Sequence, residues 1–161
     1  MLVMGLLCYN KYMKISENVQ FILDVLKNEV DGDVQAALEK ITDDYTMTWV
    51  YQTKSNDLFP TTTNDMEAEL EEVYTITGRQ YDIRNIAESD SLVMLELIES
   101  YPDPKTGQVY RTPQVIVLEL KDGKIRKGRH YCDPHLSHLK LSVEQIETDA
   151  LKGTKSKHLI K

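Results

Sequence analysis

Cysteine is scarce in this sequence: only Cys8 and Cys132 occur among 161 residues. Two distant cysteines provide neither a disulfide framework nor the paired spacing of a zinc-binding motif. Their scarcity favours a reducing compartment, and we therefore expect a cytoplasmic protein without disulfides. For Cys132, the role of a small buried side chain is the ordinary alternative to that of a nucleophile.

Long apolar runs and extended basic clusters are also missing. The apolar run at residues 1–8 is too short to span a bilayer, and it lacks the basic segment with which a signal peptide begins. A cleaved signal or a lipid-modified Cys8 is the alternative interpretation of this run. The formal net charge is -7, whereas phosphate binding needs clustered Lys and Arg. We expect neither a membrane nor a nucleic-acid partner.

The composition is that of one ordinary globular domain. Hydrophobic residues make up 41% and charged residues 28% of the chain, as is typical of such domains. We expect residues 1–12 to be an N-terminal extension and residues 13–147 to form the domain. Residues 148–161 are expected to form a flexible basic tail.

Two amphipathic helices are predicted near the N-terminus. Ser16 is placed to cap the first helix, whose apolar positions recur with the helical period as far as Gly32. Asp33 is placed to cap a second, shorter helix. A polar loop at residues 53–63 is long enough to act as a lid. A third helix is predicted between residues 63 and 78.

Alternating residues predict five strands. The first strand begins at Tyr45 and carries an aromatic-rich row on one face. The other four strands are separated by short turns, which is typical of an antiparallel meander. They are predicted at residues 80–87, 92–101, 109–120 and 125–132. This order of elements predicts an α+β fold in which a curved sheet wraps around the N-terminal helices and leaves a pocket at its open end.

The last predicted hairpin carries a histidine on its inner face. Asp122 and Gly123 predict a tight turn between its two strands. In the second strand Lys127, Arg129 and Tyr131 share one face, and Gly128, His130 and Cys132 share the other. Because two mid-strand cations favour water, we expect His130 and Cys132 to face the concave side of the sheet.

The register of this hairpin decides which residues accompany His130. A two-residue turn places His130 opposite Val115, whereas a turn with a glycine bulge places it opposite Gln114. The second register gathers Thr112, Gln114, His130 and Cys132 into a small polar patch within an apolar cone. Such a mixture is typical of a small-molecule site.

Glu99 lies at the end of an apolar row on the third predicted strand, two residues after Leu97. Burial would raise its pKa, and a protonated His130 nearby would lower it. Either effect suits a group that transfers protons, so we predict His130 and Glu99 as a catalytic acid–base pair. A core histidine and a solvent-exposed glutamate are the alternatives. The predicted ligand-binding residues are Tyr45, Met47, Trp49, Tyr51, Leu97, Thr112, Gln114 and Cys132.

No metal or cofactor is expected. His135 and His138 have a helical spacing, but no carboxylate motif completes a site with them. The acidic run in the third predicted helix suits the positive end of a helix dipole and needs no metal to explain it.

Two segments and the order of the elements resemble a known family. Thr42-Asp43-Asp44-Tyr45 precedes the first strand, and the hairpin runs from Asp122-Gly123-Lys124-Ile125 to Arg129-His130-Tyr131-Cys132-Asp133. These features resemble the SnoaL-like branch of the nuclear transport factor 2-like superfamily, over residues 15–145. The resemblance implies a cone-shaped, cystatin-like fold and makes residues 13–147 a SnoaL-like domain. The superfamily includes polyketide cyclases, ketosteroid isomerases, scytalone dehydratase and limonene epoxide hydrolase.

The hairpin resembles that of limonene epoxide hydrolase most closely. By that resemblance His130 occupies the position of the hydrolase's catalytic aspartate, and Asp133 that of its terminal aspartate. Leu97 and Glu99 occupy the positions of its arginine and second aspartate. The Asp–Arg–Asp arrangement that activates water is therefore not reproduced at these positions, which argues against epoxide hydrolysis by the same mechanism.

Two classes of function follow. The first is a cofactor-independent isomerase, dehydratase, cyclase or hydrolase that acts on a small hydrophobic molecule through His130 and Glu99. The second is a non-catalytic ligand-binding or scaffold domain. A cavity that encloses both residues favours the enzyme, whereas one filled by Trp49 and methionine side chains favours the scaffold. The resemblance also implies a homodimer, formed through the outer face of the sheet.

Overall fold

The computed structural model describes residues 15–51, 67–68, 70–71, 75–133 and 135–161. The predicted extension at residues 1–12 and the predicted loop at residues 53–63 lie outside these ranges. Of the third predicted helix, residues 67–68 and 70–71 are described and are helical. The elements with defined bounds are α1 (Glu17–Asp31), α2 (Val34–Leu38), β1 (Ile41–Trp49), β2 (Gln80–Ser89), β3 (Leu92–Pro102), β4 (Val109–Lys121), β5 (Lys124–Tyr131), α3 (His135–His138), α4 (Val143–Asp149) and β6 (His158–Ile160).

The predicted caps of the first two helices are confirmed. The Ser16 side chain accepts a hydrogen bond from the backbone N–H of Val19, and Gly32 ends α1 with a φ of 73°. The Asp33 side chain caps α2 by accepting from the N–H of Ala36. The first strand begins at Ile41 rather than at Tyr45, because Ile41 already pairs with β5.

The sheet has the strand order β1-β5-β4-β3-β2-β6. Strands β2 to β5 form the predicted antiparallel meander, and β1 lies parallel to β5. The buried side of α1 packs against the inward faces of β2, β3, β4 and β5 in one apolar core. The predicted α+β architecture, a sheet against N-terminal helices, is confirmed.

Both predicted partners of His130 in the hairpin were wrong. The turn has two residues, Asp122 and Gly123, with φ values of 53° and 75° that suit a type I′ turn. Leu120 pairs with Ile125, but the pairing then shifts by one residue in β5. This irregularity leaves Arg126 as an extra residue, as in a β-bulge, and brings His130 opposite Ile116.

The C-terminal segment lies on the outer side of the sheet. Its strand β6 pairs with β2, and Ile146 and Leu151 form a second apolar cluster with Ile98 of β3. The prediction of a flexible tail was wrong here, because Leu151 is buried and β6 completes the sheet. Between β5 and β6 the chain forms the two short helices α3 and α4. Within the described ranges, the helices are too short or too polar to cross a membrane.

The outer face therefore has a covered part and an exposed part. Ile98 is covered by the chain's own C-terminal segment, whereas Tyr131 on β5 is 42% exposed. The homodimer stays a prediction, and the exposed part around β5 is the surface that remains available for it.

Arg84 forms ion pairs that connect α4 to the outer side of the sheet. Its side chain is 1% exposed and donates hydrogen bonds to Asp82 of β2 and Glu147 of α4. A buried arginine without partners is very costly, but two carboxylates compensate this one. The ion pairs thus hold together a sheet strand and a helix that are far apart in sequence.

Replacing Arg84 with Met is expected to lower the free energy of unfolding by about 3 kcal/mol, because Asp82 and Glu147 lose their shared counter-charge. Urea unfolding measures the change. The matched control is Arg126→Met, which removes an exposed ion pair with Asp44 and should cost less than about 1 kcal/mol. Equal losses in the two variants would contradict the proposed role of Arg84.

Candidate functional site

A cavity of about 280 Å³ lies between the N-terminal helices and the inward face of the sheet. Most of its wall is apolar, and a few polar groups interrupt it, as is usual for small-molecule sites. The apolar wall consists of Val25, Leu26, Ala37, Ile41, Tyr45, Met47, Trp49, Leu70, Ile76, Tyr101, Ile116, Leu118 and Ile125. The polar and charged lining residues are Glu29, Arg79, Tyr81, Glu99 and His130.

Three of these residues form a carboxylate–arginine cluster, consisting of Glu29, Arg79 and Glu99. The Arg79 guanidinium is ion-paired with Glu29 and lies 2.8 Å from Oε1 of Glu99. It also donates to the Tyr81 hydroxyl at 3.2 Å and lies over the ring of Tyr101. Arg79 is only 6% exposed, so one buried cation is shared by two carboxylates.

Three elements bring the cluster together. Glu29 lies three residues after Leu26 in α1, on the helix face that packs against the sheet. Arg79 immediately precedes β2 and Tyr81 is its second residue, so the two side chains point to the same side. Glu99 of β3 is the direct cross-strand partner of Tyr81. Helix packing and strand alternation therefore place the three charges at one spot.

Glu99 is held by partners on both of its oxygens. Oε1 accepts from Arg79, and Oε2 accepts from the side-chain amide of Gln114 at 3.2 Å. Gln114 lies on β4, beside β3. Glu99 is therefore suited to holding the Arg79 guanidinium in place rather than to exchanging protons with a bound molecule.

Burial dominates the pKa values of the two carboxyl groups. It raises the pKa of Glu29 to about 7, although the Arg79 charge opposes the shift. It also raises the pKa of Glu99, again against the effect of Arg79. Because one guanidinium cannot fully compensate two buried carboxylates, Glu29 gains and loses its proton near neutral pH.

His130 lies on β5 between β4 and β1. Its cross-strand partners are Ile116 and Trp49, and its backbone carbonyl accepts from the N–H of Val50 at 2.7 Å. Desolvation lowers the pKa of His130 to about 4, and the Arg79 charge adds to this effect. The ring is therefore neutral at pH 7. Its Nε2 atom is buried and has no hydrogen-bond partner in the described part of the chain.

The sequence matches no protein-family model and no curated protein. Solved structures do match the fold. IdmH, a proposed polyketide cyclase from Streptomyces antibioticus, is 14% identical, and the match covers 80% of this chain and 100% of that one, with a TM-score of 0.64. A LEH-like epoxide hydrolase from M. tuberculosis is 15% identical, with 77% and 84% covered and a TM-score of 0.60. An NTF2-like protein of unknown function from Cytophaga hutchinsonii is 14% identical, with 77% and 96% covered and a TM-score of 0.56.

The protein has the nuclear transport factor 2-like fold. Sequence identities this low show that the fold is shared and nothing more. The fold is the one that the resemblance of the hairpin had implied. Within this fold, five of the predicted site residues line the cavity. They are His130, Glu99, Tyr45, Met47 and Trp49.

The other predicted ligand-binding residues do not line this cavity. Leu97, Thr112 and Gln114 are buried within the sheet, and the side-chain amide of Gln114 donates a hydrogen bond to Glu99. Tyr51 and Cys132 lie just beyond the ends of β1 and β5. Burial raises the pKa of the Cys132 thiol to about 11, which does not suit a thiolate nucleophile.

Glu29, Arg79 and Tyr81 were not predicted from the sequence. The available signal was a charge in an apolar pattern: Glu29 interrupts the core-facing stripe of α1, and Arg79 is in phase with the buried Tyr81 and Ile83. The same signal did identify Glu99, because a complete apolar row preceded it.

Gly128 leaves room for Met47 in the cavity wall. A Cβ atom at Gly128 would lie 2.6 Å from the sulfur of Met47, which must then move. We expect Gly128→Ala to reshape the wall and weaken the binding of a cavity-filling ligand about tenfold, with a stability loss of about 1 kcal/mol. Calorimetry with such a ligand measures the effect. The double variant with Met47→Ala should recover binding, and a lack of recovery would contradict this mechanism.

Proposed function

We propose that the protein is a cofactor-independent acid–base enzyme that acts on a small, largely apolar molecule in this cavity. The observation that carries the proposal is the carboxylate–arginine cluster at the polar end of an apolar cavity. Its member Glu29 changes protonation near neutral pH, which suits general acid–base catalysis. The open cavity with His130 in its wall also favours an enzyme over the scaffold alternative.

In this proposal Glu29 transfers the proton. Its carboxylate takes a proton from water or from a hydroxyl group of the substrate, and the resulting oxygen nucleophile attacks an electrophilic carbon. The oxygen released from that carbon then receives the proton. Water as the nucleophile gives hydrolysis, and a hydroxyl of the substrate gives cyclisation.

Arg79 and Glu99 support Glu29 in this step. The guanidinium fixes the carboxylate and stabilises its ionised form, while Glu99 and Gln114 hold the guanidinium in place. The predicted pair of His130 and Glu99 is thereby revised, because both oxygens of Glu99 are engaged and His130 is neutral.

Two of the similar structures suggest which reactions to test. One is named a proposed polyketide cyclase and another a LEH-like epoxide hydrolase. Positions 97, 99 and 130 do not reproduce the Asp–Arg–Asp arrangement of limonene epoxide hydrolase. Arg79 nevertheless supplies an arginine between two carboxylates, from a different position in the chain. This arrangement supports epoxide opening by water or by an internal hydroxyl as the reaction class.

The test is turnover of small cyclic epoxides and hydroxy-epoxides, followed by gas chromatography of the diols and cyclic ethers. The rate should rise with pH through about 7, because the ionised form of Glu29 is the active one. We expect Glu29→Gln to lower the rate by about 10²- to 10⁴-fold.

The matched control is Glu17→Gln, an exposed glutamate on the same helix, which should keep the full rate. No turnover of any epoxide by the wild type, or an unchanged rate in Glu29→Gln, would contradict the proposed function.

A further inference from the structure

We propose that His130 recognises a second oxygen of the substrate, so that the cavity selects an uncharged, mainly apolar molecule with one oxygen function at Glu29 and another at His130. This inference deepens the proposed function and rests on it for the role of the first oxygen. The role of the second oxygen rests on the surroundings of His130 alone.

The surroundings of His130 explain why a ligand oxygen fits there. The ring belongs to the cavity lining, and its neighbours across the adjoining strands are Trp49 and Ile116. Buried polar atoms are almost always hydrogen-bonded, yet Nε2 of His130 has no such partner among the residues described. A hydroxyl or carbonyl group on a bound molecule supplies the partner that Trp49 and Ile116 do not.

The charges of the cavity explain why the molecule is uncharged. Arg79 is engaged by two carboxylates, so an anionic ligand would meet two negative groups around one cation. His130 is neutral at pH 7 and offers an anion no counter-charge. A cationic ligand would have to leave water for a wall that is apolar over most of its area.

Binding of a matched set of naphthalene derivatives, measured by calorimetry, tests this inference without turnover. The set consists of naphthalene, 1-naphthol, 1,5-dihydroxynaphthalene, 1-naphthoate and 1-naphthylmethylamine. We expect the wild type to bind the diol about tenfold more tightly than the mono-alcohol, the usual effect of one good hydrogen bond. The two charged compounds should bind at least about tenfold more weakly than 1-naphthol.

Variants of His130 separate hydrogen bonding from packing. His130→Leu should abolish the preference for the diol over 1-naphthol, whereas His130→Gln should restore part of the preference. His135→Leu is the control, because that side chain is 77% exposed and lies outside the cavity lining. It should behave as the wild type.

Three results would overturn the inference: a diol preference that survives in His130→Leu, binding of a charged compound as tight as that of 1-naphthol, or no binding of any compound. A diol preference that depends on His130 in a protein that turns over no epoxide would support the inference and contradict the proposed function. The experiments can therefore contradict either proposal without contradicting the other.

Discussion

Replacing Glu29 with Gln is expected to raise the free energy of unfolding at pH 8 by roughly 3 kcal/mol. The pKa of Glu29 is about 7 in the folded protein, against an ordinary value of 4.5. Each unit of difference corresponds to about 1.4 kcal/mol. The folded state binds this proton more tightly, so its contribution to stability is complete below pH 4.5 and is lost as the pH rises through about 7.

Urea unfolding at pH 5 and pH 8 measures this effect. The wild type should lose stability between these values, while Glu29→Gln should lose less, because the amide stays neutral. Glu17→Gln should follow the wild type. A Glu29→Gln variant that is less stable than the wild type at pH 8 would show that the ionised carboxylate is favourable in the folded state.

Together with the expected loss of turnover, this result would mean that the residue that transfers the proton also destabilises the fold. Active sites commonly hold charges in environments that are unfavourable for stability. The burial that raises the pKa of Glu29 to about 7 would then be the same burial that weakens the protein.

Replacing Arg79 with Met is expected to lower the free energy of unfolding at pH 8 by about 3–5 kcal/mol. The substitution leaves Glu29 and Glu99 as two buried carboxylates without a cation. A loss of this size is a large fraction of the stability of a typical domain. The pKa values of both carboxyl groups should rise further, so the variant should recover much of its stability at pH 5, where both are protonated.

The matched variant combines Arg79→Met with Glu29→Gln and Glu99→Gln, which removes all three charges. It should be more stable at pH 8 than Arg79→Met alone, because a neutral cluster has no unpaired charge to bury. Circular dichroism during thermal unfolding at both pH values measures the difference. A pH-independent loss in Arg79→Met would show that the carboxylates are not its cause.

The local parts of the fold were predictable because their signals lie within a few residues of each other. Ser16 and Gly32 are capping residues at the ends of α1, and the two turn residues of the last hairpin favour positive φ. Alternation along one strand was sufficient to put Glu99 on the buried face and His130 on the concave side.

Contacts between distant segments were not predictable from such patterns. β1 lies beside β5 although β2, β3 and β4 separate them in sequence, and β6 pairs with β2 from the C-terminal end. The extra residue Arg126 leaves no mark in the alternation, so the expected register of His130 was off by one residue. The pairing of Glu29 with Arg79 likewise depends on how α1 packs against the sheet.

The position of Trp49 has a practical consequence. It is the only tryptophan in the sequence, it lines the cavity, and it lies across from His130 in the neighbouring strand. Its indole emission should therefore report ligand occupancy and assembly of the β1–β5 pair at once, without any attached dye. A stopped-flow trace of that emission would follow the pairing of β1 with β5 during folding and, in the native state, the filling of the cavity.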